Sequence, residues 1–444
     1  MARSEPARGM RDFLPEDVRR REYVIGVIAR VYERYGFEPL ETPAVENLDT
    51  LMGKYGDEGN QLIFKILKRG EHEASGQADL ALRYYLTVPL ARVMAHYQAK
   101  LPRLFKRYQI QPVWRADRPA RGRFREFYQC DVDGVGSTSP VIEADLCAAV
   151  AEALTTLGFT DFVIRLNHRQ LLTSLLAAAG VDTAKHGEAL IALDKLDKIG
   201  PDGVAKELDA RGIGGEASTA LLEFFQPSVA ESELDRLSGF VGDDAAGLAA
   251  VDNLRAIMAL ASATPAGGRI RIDPSLARGL SYYTGAIMEI NVADLAGSLG
   301  GGGRYDNLVG MFLGQHIPAC GFSLGLERIL VVMGERGMFP PDLAVTPADV
   351  MVSVFDASDT VHAFRVATQL RDSGLRVLVY PDAEKMGKQI KYADARGIPF
   401  VAILGGDEIA AGTVTVKRLA DQTQHTYDQS AAGAAILEAL RQRG

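Results

Sequence analysis

Two runs with strand-like patterning, residues 105–115 and 124–135, flank a connection at 116–123 that is rich in arginine, glycine and proline. Strand patterning on both sides of a turn-forming stretch predicts two antiparallel strands joined by a long charged loop. The window 100–125 holds Lys100, Arg103, Lys106, Arg107, Arg115, Arg118, Arg121, Arg123 and Arg125, opposed by Asp117. Phe105, Tyr108, Trp114 and Phe124 are interleaved with these charges. The pattern fits either an ordinary solvated face or a binding surface for polyanions, and the window leaves both open.

The rest of the chain supplies the partners of this hairpin. Residues 16–35 show helical apolar spacing that stops at Gly36, and an extended piece, 37–43, follows. Residues 60–67 and 80–83 alternate like strands, 86–99 and 141–157 read as helices, and 162–166 reads as a strand. From 168 to 262 alanine, leucine and charges recur at helical spacing, which predicts a helical insertion. Strand patterns return at 268–273 and 282–292, and a helix starts near Leu324. Pro340-Pro341 and Pro347 mark a linker. Beyond it, strands at 350–355, 375–380 and 400–404 alternate with helices at 360–372 and 386–396. An edge strand at 414–417 and a helix at 430–442 complete a small α/β domain with a largely parallel sheet. No GxGxxG follows its first strand, which disfavours a dinucleotide site there.

Chemistry-bearing residues concentrate in three places. Leu276-Ala277-Arg278-Gly279-Leu280-Ser281-Tyr282-Tyr283-Thr284-Gly285 sets an arginine and two tyrosines among glycines. A glycine run, 300–303, leads into Arg304-Tyr305-Asp306, and Gly321-Phe322-Ser323-Leu324-Gly325-Leu326-Glu327-Arg328 follows. Glycine lets a backbone approach a ligand closely. Arginine holds phosphate or carboxylate in a planar fork, and tyrosine offers a flat apolar face with a polar tip. Together they suit a pocket for a small, partly flat ligand with anionic groups.

The formal net charge of -8 argues against a general nucleic-acid coat protein. Cys130, Cys147 and Cys320 form neither a CxxC pair nor a metal-ligand spacing, which fits a reducing cytoplasm and no protein-held metal. No segment reaches the roughly 18 consecutive apolar residues of a membrane span. The N-terminal residues lack the apolar core of a secretory signal.

Several separated motifs agree on a family. Gly9-Met10-Arg11-Asp12-Phe13-Leu14-Pro15 opens the chain, and residues 35–43 are similar to the class II dimer motif. Arg115-Ala116-Asp117-Arg118-Pro119 through Arg121-Gly122-Arg123-Phe124-Arg125-Glu126-Phe127-Tyr128-Gln129-Cys130-Asp131 resembles the second class II motif, and Gly325-Leu326-Glu327-Arg328 the third. The segments at 278–285 and 301–306 are similar to stretches particular to the histidine enzymes. The chain thus resembles the histidyl-tRNA synthetases, class II aminoacyl-tRNA synthetases, over nearly its whole length.

The resemblance implies an α+β fold: a class II antiparallel-sheet catalytic core, 1–167 and 263–340, with a helical insertion at 168–262. A C-terminal α/β anticodon-binding domain would span 348–444. It implies L-histidine, ATP and tRNA(His) as partners, magnesium with the ATP, a homodimer and a cytoplasmic setting. The implied catalytic pair is Arg115 and Arg278, acting on the α-phosphate and the attacking carboxylate. Arg115, Asp117, Arg123, Phe127 and Arg328 would bind ATP, with Phe127 stacked on adenine and Arg123 reaching the outer phosphates. Tyr85, Thr87, Arg115, Gln129, Asp133, Arg278, Tyr282 and Tyr283 would bind histidine. Phe127 and Tyr282 also read as plain core residues. Glu327 reads equally as a structural carboxylate or a metal ligand, and His168 and His316 as caps or surface residues.

One position departs from the family. An acidic residue usually stands two places before the threonine of the segment Leu82-Arg83-Tyr84-Tyr85-Leu86-Thr87, and here Tyr85 occupies it. Ser281 replaces a frequent aspartate. Two other readings compete: a catalytically silent paralogue acting as regulatory subunit of ATP phosphoribosyltransferase, and a tRNA-binding chaperone without catalysis. The first generally lacks the C-terminal module and the arginine pair.

Overall fold

A computed structural model describes residues 4–52, 61–70, 75–225, 232–277, 282–295, 297–341, 343 and 346–442. Arg278 and Ser281 lie outside the described residues. The chain divides into two units, residues 1–12 with 21–338 and residues 13–20 with 339–444.

The first unit holds strands β1 (Glu38–Pro39), β2 (Val45–Asn47), β3 (Lys65–Leu67), β4 (Ala78–Leu82), β5 (Phe105–Trp114), β6 (Glu126–Val135), β7 (Val163–His168), β8 (Ile270–Ile272), β9 (Ala286–Asn291), β10 (Gly300–Arg304) and β11 (Ala319–Gly325). Eight of them form one sheet in the order β1-β5-β6-β11-β10-β9-β7-β8. Only the outermost pairs, β1 with β5 and β7 with β8, are parallel, so the sheet is antiparallel through its centre. The expected hairpin is there. β5 and β6 pair from Phe105↔Val135 to Trp114↔Glu126. The connection closes in a tight turn in which Arg123 N–H donates to Ala120 O at 2.9 Å. Gly122 has a φ of +67° there, a conformation that glycine enters without strain.

Alternation along β6 separates core from cleft. A Cβ on Gly134 would meet Ile142 of the helix Val141–Thr156, so the even-numbered residues face that helix. Cys130 and Val132 are fully buried. Phe127, Gln129, Asp131 and Asp133 point the other way and line open cavities. The helix Val141–Thr156 is apolar nearly all round and packs on β6 and β11.

The glycine run is a strand, which its composition conceals. β10 pairs with β9 on one side and β11 on the other. A Cβ at Gly302 would lie 2.1 Å from Gly321 O, and one at Gly303 would lie 2.6 Å from Ala286 O. The neighbouring backbones leave no room for side chains there.

After β7 ends at His168, the regular elements among the described residues up to 262 are all helices. Short polar side chains start two of these helices: Ser232 accepts from Asp235 N–H, and Asp244 from Ala246 and Gly247 N–H. The helix Leu196–Ala210 turns at Gly200, whose φ is 68°.

The second unit carries β12 (Val350–Val352), β13 (Val377–Val379), β14 (Phe400–Ile403), β15 (Thr413–Arg418) and β16 (Gln424–Asp428), in the order β13-β12-β14-β15-β16. The sheet is mixed rather than largely parallel: β12 is parallel to both neighbours, whereas β15 is antiparallel to β14 and β16. The 414–417 strand is internal, because β16, an exposed polar strand without an apolar face, covers its edge. Buried Gln389 ties the helix Met386–Ala395 to the sheet by donating to Val354 O at 2.7 Å and accepting from Val354 N–H at 3.1 Å. Among the described residues no helix is long and apolar enough to cross a membrane.

Candidate active site

Two cavities, about 440 and about 610 Å³, open on the cleft face of the central sheet. Tyr85, Arg115, Arg123, Gln129, Ser298, Gly301 and Ser323 line both, so the two are halves of one cleft. Asp117, Phe127, Glu327 and Arg328 lie in the first half. Thr87, Asp131, Asp133, Tyr282, Tyr283 and Tyr305 lie in the second. Every site residue expected from the sequence that falls among the described residues lines this cleft, with Tyr85, Arg115, Arg123 and Gln129 shared by its two halves. Arg278 is outside the described residues.

Arg115 stands at the join. It follows β5, its backbone N–H donates to Arg125 O at 2.9 Å, and its Nε donates to Tyr84 O at 3.1 Å. Among the described residues its terminal nitrogens make no hydrogen bond, so a planar fork of donors faces the cleft. Arg328 sits in the first turn of the helix Leu326–Glu335, and its guanidinium donates to Ser298 O.

The second half is built on strand register. Asp133 on β6 lies opposite Arg107 on β5 and Gly321 on β11. Arg107 is fully buried, with Nη2 2.8 Å from Asp133 and 4.0 Å from Asp131, though without an aligned hydrogen bond. Tyr305 Oη donates to Asp133. Burial pushes both carboxyls up, and Arg107 opposes that shift. Gln129 Nε2 donates to Ser323 Oγ at 3.1 Å, while its buried Oε1 has no hydrogen-bond partner among the described residues. A buried acceptor left open costs about 1–3 kcal/mol, which a ligand N–H can offset.

Arg107, Asp131, Tyr305, Ser323 and Tyr84 were not singled out in the sequence as site residues. Asp131 could have been found, since it lies two places before Asp133 on the same strand face. Arg107 could not, because only the β5–β6 register brings it there.

Three readings that the sequence left open are narrowed. Arg304 is not a ligand arginine: it donates to Glu143 at 2.6 and 2.8 Å, to Ser137 O at 3.0 Å and to Asp306 at 3.1 Å. The basic window is not a continuous polyanion surface, because Lys106 pairs with Asp145, Arg107 is buried and Arg121 pairs with Glu335. Glu327 is held structurally. Both its oxygens accept from Tyr128 N–H, at 3.2 and 3.1 Å, and Arg11 is 3.9 Å away. Burial nonetheless raises its pKa to about 7. Of the two readings open for His168, cap or surface residue, it is a cap: Nδ1 accepts from Gln170 N–H at 3.1 Å. All three cysteines are buried and free.

An antiparallel sheet with one arginine after its long hairpin strand and another in the helix after β11, both facing one cleft, is the catalytic core of a class II aminoacyl-tRNA synthetase. A family profile described as histidyl-tRNA synthetase matches residues 9–329, and one described as anticodon binding domain matches 349–439. The histidine–tRNA ligase of Cytophaga hutchinsonii is 40% identical, covering 95% of this chain and 97% of that protein. That of Gloeobacter violaceus is 40% identical, covering 98% of each. The crystal structure of histidyl-tRNA synthetase from Nostoc sp. PCC 7120 superposes with a TM-score of 0.82 at 32% identity, over 99% of this chain and 100% of that one. The chain belongs to the histidyl-tRNA synthetase family.

Proposed function

We propose that the cleft joins L-histidine to ATP and passes the histidyl group to tRNA(His). A carboxylate oxygen of histidine attacks the α-phosphorus, the bond to pyrophosphate breaks, and histidyl-adenylate forms. A ribose hydroxyl at the tRNA terminus then attacks the acyl carbon, and AMP leaves. The observation that carries this reading is the shared wall: Arg115 presents unpaired donors where a nucleotide-sized cavity meets an acid-lined one.

The chemistry needs mainly positioning and charge neutralisation. Arg115 takes the charge that develops on the α-phosphate, with Arg278 assigned the same task beside it. Phe127 stacks on adenine, Arg328 supports the nucleotide, and Arg123 and Asp117 lie toward its phosphates. In the second half, Gln129 Oε1 and Asp133 accept from the ammonium, and Thr87 borders the polar head. Tyr282 and Tyr283 wall the imidazole; their ring centroids are 5.1 Å apart. Proton uptake at Asp131 and Asp133 is opposed by any cation that enters.

Among the described residues no group of three carboxylate, histidine or cysteine side chains could cage a metal. Magnesium that arrives with ATP is commonly held by one or two carboxylates and substrate phosphates. The ion would neutralise the triphosphate, held chiefly by the phosphates themselves. The reading includes a homodimer, supported by the similarity of residues 35–43 to the class II dimer motif. It also includes a cytoplasmic setting, supported by three free cysteines.

Histidine-dependent exchange of pyrophosphate into ATP tests the first step, and charging of tRNA(His) the second. Gln129→Leu is expected to raise the KM for histidine in exchange by roughly tenfold, through loss of an acceptor for a charged donor. Absence of exchange in the intact protein would remove the assignment.

A further inference from the structure

Three aromatic rings converge on one guanidinium. The central carbon of Arg115 lies 4.0 Å from the Tyr85 ring centroid, 4.8 Å from that of Tyr84 and 4.9 Å from that of Phe127. Tyr84 and Tyr85 meet edge to face, with centroids 4.4 Å apart. The Tyr84 carbonyl holds Nε as well. The residues at 84 and 85 therefore touch Arg115 through a backbone acceptor and two rings.

The geometry of these contacts has a consequence for the donors. A guanidinium donates in its own plane, whereas an aromatic ring attracts it through its face. A ring can thus fix the plane and leave the terminal nitrogens available. A carboxylate would instead take the edge of the fork in a bidentate pair. The second half of the cleft has no need of another acid at this position, since Asp131 and Asp133 already stand in its wall.

We infer that Tyr85 is a positioning residue. Its ring fixes the plane of Arg115, so the side chain at 85 acts on adenylate formation through that arginine and not through the ammonium of histidine. The inference rests on the role proposed above for Arg115. It accounts for a tyrosine standing where the family usually has an acid: here the position serves the phosphate end of the reaction.

The test is steady-state histidine-dependent pyrophosphate exchange on the full chain, with thermal melting of each variant to establish folding. Tyr85→Leu is expected to lower kcat roughly tenfold while the KM for histidine stays within about twofold. Tyr85→Phe keeps the ring and is expected to restore kcat to within about twofold of the parent. Tyr85→Asp is expected to lose kcat as the leucine variant does, without improving the KM for histidine. A lower KM for histidine at undiminished kcat in Tyr85→Asp would overturn the inference, and so would full kcat in Tyr85→Leu. Arg115→Ala separates the two levels. If it abolishes exchange while Tyr85→Leu is unimpaired, only the positioning role falls. If Arg115→Ala itself exchanges normally, the role of Arg115 falls and the inference with it.

Discussion

Arg304 grips Glu143 with two hydrogen bonds, 2.6 and 2.8 Å, where β10 meets the helix Val141–Thr156. Glu143 is fully buried and Arg304 nearly so. The pair links the strand that floors the cleft to the helix on the other face of the sheet.

Removing one partner strands the other. Glu143→Ala leaves a buried guanidinium with Ser137 O and Asp306 as its remaining acceptors. Breaking a buried pair in this way costs about 3–5 kcal/mol. A denaturant midpoint lowered accordingly, at unchanged slope, is the expected outcome; an unshifted midpoint would show that the pair is not structural.

Arg304 also marks the limit of what the residues disclose before folding. Arg304 and Arg328 both stand near glycines, and nothing local separates a ligand arginine from a structural one. Their partners do, and Glu143 is far away in sequence. The β5–β6 hairpin was legible because alternation and a charged turn are local signals. β10 was not, because four glycines carry no strand propensity and extend only under the crowding of β9 and β11. β16 was missed for the related reason that an exposed polar strand has no apolar face to repeat. The assignment of the cleft residues came from motif resemblance, and their sharing of one cleft came from β6 placing 127, 129, 131 and 133 on one face.

Gly321 tests that packing directly. A Cβ there would lie 1.9 Å from Asp133 Oδ1, on a buried strand between β6 and β10. Gly321→Ala must push Asp133 from Arg107 and Tyr305. The expected result is a loss of about 1–3 kcal/mol of stability, typical of overpacking, with a raised KM for histidine. A KM for ATP that rose as much as that for histidine would mean that the damage is not confined to the acid-lined half.

Arg278 is assigned by motif, and its replacement is the sharpest check on the catalytic pair. Arg278→Ala is expected to cost about 2–4 kcal/mol of transition-state stabilisation, the range for losing one preorganised charge-stabilising donor. The measurement is kcat/KM for pyrophosphate exchange beside a melting curve. Unimpaired exchange would remove Arg278 from the mechanism.

His168 sets a pH dependence. Its Nδ1 accepts from Gln170 N–H and so must be unprotonated to cap the helix Arg169–Ala178. Burial, aided by the Arg304 charge and opposed by Asp306, lowers its pKa from 6.5 to about 4. The unfolded chain thus takes up a proton near pH 6.5 that the folded chain refuses until near pH 4, and stability falls as pH drops across that window. The shift corresponds to about 3 kcal/mol by the lower end. His168→Asn keeps a capping acceptor without a titrating group. The variant's unfolding free energy is expected to fall less steeply than the parent's between pH 6.5 and 4, with the two curves parallel above pH 7. Parallel curves through the acid window would show that His168 is as easily protonated in the fold as out of it.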